Sequence, residues 1–247
     1  FFNIEYYASM ADYSNKNPIT DPSNYTNATP YAQQTIIVSV RNINNGDCED
    51  TTTFKIEVFE SPMPTQNIAN LSFCDNKSVG TDYDGLILLD LTQNETAILN
   101  GQSPTDFTIS YYTDAGLINQ IVNPSTYQNI NSTEIIYVET YNRLNTRCKA
   151  QTSFDIEVFE LPTVSSIVEL KQCDDDLDGF SVFNLTEVNA ELSTNYQNET
   201  ITFYESLADA ENDNDPIINT TTYINETASI DSIWARIENS NNCYRTT

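Results

Sequence analysis

The sequence has no histidine, and only 10 basic side chains stand against 36 acidic ones in 247 residues. Without histidine, Ser-His-Asp and Cys-His catalysis and histidine-ligated zinc are excluded. What remains open is paired-carboxylate, lysine or hard-metal chemistry. A formal charge of -26 excludes ordinary nucleic-acid binding, which needs a basic surface to displace counterions, and argues against docking on anionic lipid. No run approaches the ~20 apolar residues of a spanning helix, so no membrane insertion is expected in this segment. Long helical periodicity is also missing.

What is present suits strands and turns. Tyr (15), Phe (11), Val, Ile and Thr fit pleated strands, while 30 Asn, with Asp and Pro, fit the turns between them. Short β-branched or aromatic runs recur every ~10–20 residues with turn signals between, the pattern of an all-β sandwich or barrel.

The chain repeats itself. Phe54-Lys-Ile-Glu-Val-Phe-Glu60 returns as Phe154-Asp-Ile-Glu-Val-Phe-Glu160, and each is followed by proline at Pro62 or Pro162. Cys48, Cys148 and Cys243 each follow a strand-like run ending in Asn, at Asn42, Asn142 and Asn239. A second series is Cys74-Asp75 and Cys173-Asp174. The expected domains are therefore 1–63, the C-terminal part of a repeat; 64–162, a complete repeat; and 163–247, a third repeat lacking its last strand. Units of ~100 residues bury their own cores, so beads on a string are expected, joined by short proline-stiffened linkers. Such a stretch reads as a window on a longer array.

The paired cysteine spacing points to a disulfide framework and an oxidising compartment. Two pairings compete. Within repeats, Cys74 joins Cys148 and Cys173 joins Cys243, with the partner of Cys48 outside the fragment. Across junctions, Cys48 joins Cys74 and Cys148 joins Cys173. The first is favoured because each repeat should fold alone; the second would stiffen the array.

Asp174-Asp-Asp176-Leu-Asp178-Gly179 reads as the first half of a calcium loop, in which alternate carboxylates converge and Gly allows a sharp turn. The Phe180 carbonyl and Asn184 complete the expected ligand set. The middle repeat offers Asp75, Asp82, Asp84 and, at the Asn184 position, Asp90. All-oxygen ligands favour Ca²⁺ over zinc. The competing reading is a solvated acidic turn. Acidic residues Asp209 to Asp215 have no counterpart in the middle repeat and read as a solvated turn. Carboxylates such as Glu57 and Glu157 recur on strands, and a catalytic centre is not normally copied in every bead, so the chain is not expected to be an enzyme.

The acidic loop with its following Phe183-Asn-Leu-Thr186, the stretch Ile233-Trp-Ala-Arg-Ile-Glu-Asn239 to Cys243-Tyr244, and the closing Phe-x-Ile-x-Val-Phe-x-Leu-Pro resemble tandem repeats of large Bacteroidota adhesins. Those are cell-surface proteins secreted by the type IX system, gliding-motility adhesins among them. The resemblance implies export, cell-surface attachment and an Ig-like or cadherin-like stalk. It also implies O-glycosylation at Asp-Ser/Thr sites, with Thr51 and Ser232 as candidates. The expected function is an extracellular stalk pinned by disulfides and calcium, whose partners are neighbouring repeats. The alternatives are a module binding surface polysaccharide and a stretch of a self-assembling filament.

Overall fold

A computed structural model describes residues 1–247. The all-β expectation holds: 15 strands carry the architecture and the helices are single turns or little more.

The first stretch contains β1 (Phe2–Tyr7), α1 (Met10–Ser14), β2 (Gln34–Asn42) and β3 (Asn45–Ile56), with the three strands in one antiparallel sheet. The middle stretch contains β4 (Leu71–Cys74), β5 (Leu88–Leu89), α2 (Glu95–Leu99), β6 (Phe107–Tyr112), β7 (Gln120–Ile121), β8 (Tyr127–Gln128), β9 (Thr133–Asn142) and β10 (Lys149–Phe159). Its main sheet has the order β4-β10-β9-β6-β7, and β5 pairs with β8 in a second, small sheet. The third stretch contains β11 (Val182–Phe183), α3 (Asn189–Leu192), β12 (Thr200–Tyr204), α4 (Leu207–Asn212), β13 (Tyr223–Ile224), β14 (Trp234–Glu238) and β15 (Tyr244–Thr246). Here β12-β14-β15 form one sheet and β11-β13 another.

Period-2 patterning decides the burial. Along β10, Thr152, Phe154, Ile156 and Val158 are buried while the residues between them are exposed. The third-stretch core gathers Leu185, Val188, Leu192, Phe203, Tyr223, Ala235 and Ile237. Leu185 follows a capping turn in which the Asn184 side chain accepts the Thr186 N–H. Asp90 does the same for Thr92 one repeat earlier.

The chain divides into two compact units. The first comprises 1–66, 96–110 and 138–152; the second comprises 67–95, 111–137 and 153–247. In the first, the Glu49 carboxylate accepts the Ser39 and Tyr13 hydroxyls and faces Arg41 and Lys16. These contacts, Ser39 foremost, hold its pKa down at about 2 against the opposing effect of desolvation.

The acidic run expected to be a solvated turn starts inside the short α4, while Glu211, Asp213 and Asp215 are exposed to solvent. The Ser206 hydroxyl caps α4, accepting the Asp209 N–H and donating a hydrogen bond to the Asp209 carboxylate. Asp213 accepts the buried Tyr204 hydroxyl. A serine three residues before Asp209 was the available signal for a helix start.

Candidate functional site: the strand-end junction and the acidic loop

In the second unit, β4 runs parallel to β10 with Cys74 opposite Phe159. The Asp75 N–H donates to the Phe159 carbonyl at 2.9 Å, fixing the chain just beyond Cys74. One residue past Phe159, the Glu160 carbonyl accepts the Asn239 side-chain amide at 2.9 Å. Asn239 opens the β14–β15 turn, and its own N–H donates to the Cys243 carbonyl. The turn thereby presents Cys243 beside the end of β10, one strand away from Cys74. The two are joined by a disulfide with Cα atoms 5.5 Å apart, spanning 169 residues of sequence.

Both expected pairings are thus corrected. Cys74 bonds neither Cys148 nor Cys48; its partner is Cys243, while Cys48, Cys148 and Cys173 are free thiols. The reason lies in strand direction. Cys74 sits opposite the end of β10, whereas Cys148 immediately precedes its start. At ~3.3 Å per residue, an 11-residue strand separates these ends by roughly 35 Å, beyond the ~7 Å Cα reach of a disulfide.

The turn geometry recurs in the first unit. Asn142 donates its side-chain amide to the Glu60 carbonyl at 3.0 Å and its N–H to the Cys148 carbonyl at 2.9 Å. Cys148 therefore holds, relative to Glu60, the position that Cys243 holds relative to Glu160. The strand-ending asparagines were visible in the sequence, but their role as clamps on the preceding Phe-x-Ile-x-Val-Phe-Glu carbonyl was not.

A second latch lies two residues past Cys243. The Arg245 guanidinium is 3.1 Å from the Asp82 carboxylate, 4.4 Å over the Tyr83 ring, and donates to the Tyr83 hydroxyl at 2.6 Å and the Asp82 carbonyl at 3.3 Å. Lys77 approaches the same carboxylate at 3.8 Å. With both Arg245 and Asp82 largely shielded from solvent, the contact exceeds an ordinary surface pair. Arg245→Ala is expected to destabilise the oxidised second unit by about 1–2 kcal/mol, and Arg245→Lys to restore only part of that, as measured by denaturant unfolding. No loss in the alanine variant would remove the latch from the account.

The latch redirects the middle acidic loop. Asp82, expected to be a calcium ligand, is occupied by Arg245 and Lys77. Asp75 is buried and accepts the Asn76 and Gly85 N–H groups. Asp84 accepts the Thr81 and Leu86 N–H groups, the former being the main cause of its lowered pKa. Asp90 is committed to its cap. These four form no group of three carboxylates with ligand oxygens within 4.8 Å of one another.

In the third repeat, ligand oxygens of Asp174, Asp176 and Asp178 lie within 4.8 Å of one another, all on exposed residues. Asp174 accepts N–H groups from Asp176, Leu177 and Gly179. The Gly179 bond chiefly lowers its pKa. The Asp178 N–H pulls the Asp176 pKa down, but the Asp178 and Asp174 carboxylates outweigh it and raise the value. Phe180 donates its N–H to Asp178, and Asn184 is spent on the Leu185 cap rather than the loop. Three convergent hard oxygens suit a calcium ion chemically, but they supply only part of the 6–8 ligands it takes.

A buried asparagine holds each acidic loop's exit. Asn129 accepts the Ile87 N–H and donates to the Gly85 and Asn131 carbonyls; Asn225 accepts the Ser181 N–H and donates to the Gly179 and Thr227 carbonyls. Each follows a tyrosine by two residues, as does Asn27, and that Tyr-x-Asn spacing was the overlooked signal. The candidate glycosylation sites share one local form. Thr51 and Ser232 are exposed and donate their N–H to the preceding aspartate, Asp50 or Asp231, at 2.8 Å.

The Flavobacterium inter-domain disulphide bond domain matches residues 1–64, 70–162 and 169–247, and the chain belongs to that family. The Cys74–Cys243 bond joins the second and third matched segments. No curated protein matches the chain. Among solved structures, the Sidekick-1 immunoglobulin domains 1–5 match over 100% of this chain and 53% of that one, at 11% identity and TM-score 0.31. The human Desmocollin-1 ectodomain matches over 87% and 45%, at 15% identity and TM-score 0.18. The chain spans about half the length of each.

Proposed function

We propose that the chain is a non-catalytic stalk of an extracellular bacterial surface adhesin, laced from one repeat to the next by disulfides. The observation that carries this reading is the bond between the early cysteine of one repeat and the late cysteine of the next. Extended along an array, the rule gives each repeat two bonds, one to each neighbour. Cys48 and Cys148 hold the late position and Cys173 the early one, so each has a stated kind of partner. Such bonds persist outside the cell, where thiols are not kept reduced. The acidic surface keeps neighbouring fibres apart. The type IX route, cell-surface attachment and O-glycans at Thr51 and Ser232 follow from the resemblance to Bacteroidota adhesins.

Peptide mapping without reductant tests the rule. In the oxidised 247-residue chain, Cys74 and Cys243 are expected in one cross-linked peptide, with Cys48, Cys148 and Cys173 alkylated. Alkylation of Cys74, or a Cys74–Cys148 peptide, would overturn it.

Calcium belongs to the same proposal, restricted to Asp174, Asp176 and Asp178. Binding there would relieve the carboxylate repulsion that raises Asp176. Millimolar Ca²⁺ is expected to raise the melting temperature of the wild type but not of the Asp176→Ala/Asp178→Ala variant. An identical melt in EDTA and in Ca²⁺ removes the ion.

A further inference from the structure

We propose that Asn100-Gly101 is a self-modifying site, at which the Asn100 side-chain amide is hydrolysed to a carboxylate through a cyclic imide and so releases a clamp on the linker between the first two repeats. The site, the clamp and the linker all lie within the first unit. The inference rests on this local geometry and is independent of the stalk reading.

Two amide side chains from the turn after α2 reach the linker. Asn100 donates to the Met63 carbonyl at 3.2 Å. Gln102 accepts the Met63 N–H at 2.7 Å and donates to the Glu60 carboxylate at 2.8 Å and the Ser61 carbonyl at 3.0 Å. Pro62 and Pro64, on either side of Met63, are buried. The turn after α3 in the third repeat reads Ser193-Thr194 and has no Asn-Gly pair.

Both halves of the reacting pair are open. Asn100 and Gly101 are exposed, in left-handed conformations with φ of 49° and 82°. A Cβ added at Gly101 would meet nothing within 4 Å, and its N–H has no hydrogen-bond partner in the protein. Without a Cβ, nothing shields that nitrogen from the neighbouring side chain. One bond, to Met63, restrains the Asn100 amide. At the other Asn-Gly pair, Asn45-Gly46, the amide is held at both ends, its oxygen by the Asp47 N–H at 3.2 Å and its nitrogen on Cys48 Sγ at 3.4 Å.

The Gly101 nitrogen attacks the Asn100 Cγ, its proton passes through water to the departing amide nitrogen, and ammonia leaves as a succinimide ring closes. Water then opens either carbonyl of the ring. One opening gives aspartate; the other gives isoaspartate, with an extra methylene in the main chain. Either product turns a donor into a carboxylate that only accepts, facing the Met63 carbonyl, itself an acceptor. The isoaspartate also displaces Gln102, two residues on, from its three linker contacts.

The test incubates the oxidised 247-residue chain in mildly alkaline buffer and maps its peptides by mass spectrometry over weeks. Conversion of Asn100 is expected ahead of Asn45, with part of the product as isoaspartate. Hydrogen exchange of the Met63 amide should quicken about tenfold in the converted protein, as loss of one net hydrogen bond implies. Freshly made Asn100→Asp should show the same fast exchange without incubation. Asn100 left intact while Asn45 converts would overturn the site. Unchanged Met63 exchange in Asn100→Asp would overturn the release.

Discussion

Pulled from Phe1 and Thr247, the oxidised chain is expected to stop about 600 Å short of the length it reaches after reduction. The tension path runs from residue 1 to Cys74, crosses the disulfide, and leaves through the last residues after Cys243. The residues between the cysteines, a sequence separation of 169, are bypassed. At up to ~3.6 Å per extended residue, they hold about 600 Å of contour. Single-molecule force spectroscopy reads this directly, and the Cys243→Ser variant should match the reduced protein. A full-length extension without reductant would mean that the bond is not in the force path, and the mechanical reading would fail with it. The within-repeat pairing would have hidden separations of 74 and 70 residues, Cys74 to Cys148 and Cys173 to Cys243, about 520 Å in all, so the measured contour also discriminates between connectivities.

The second large effect is thermodynamic. Closing a 169-residue loop restricts the unfolded chain by about 5 kcal/mol on the chain-entropy account. Reduction, or Cys74→Ser, is expected to lower the melting temperature of the second unit by roughly 10–20 °C. Paired scans with and without reductant check this. An unchanged second transition would show that the bond adds nothing to stability.

The Arg245 latch and the disulfide share one turn but act differently. The bond limits extension whatever the local fold does. The latch requires Asp82 and Tyr83 in place, and so specifies which loop the turn sits on. Arg245 has no basic counterpart in the other late-cysteine turns, where Asp50 and Ala150 stand two residues after the cysteine. In the middle acidic loop, longer than the one in the third repeat, Asp82 and Tyr83 are the residues this arginine holds.

The all-β character, the 100-residue period and the two cysteine series were legible in the sequence because each depends on local chemistry: β-branched alternation, turn residues, and identical words at fixed offsets. So was the convergence of Asp174, Asp176 and Asp178, since alternate residues of one tight loop must be neighbours. Cysteine pairing was not legible. It depends on β4 running parallel to β10, which places Cys74 at the far end of that strand from Cys148, and strand direction leaves no mark on composition or spacing. The fate of Asp82 was hidden for the same kind of reason, whereas that of Asp90 is local. Asp82 is taken by an arginine 163 residues away, and Asp90 by a cap only two residues long. Sequence determined which groups this chain possesses and how often they recur. Tertiary structure decided which of them meet, because a sheet sets neighbours by strand order and direction rather than by distance along the chain.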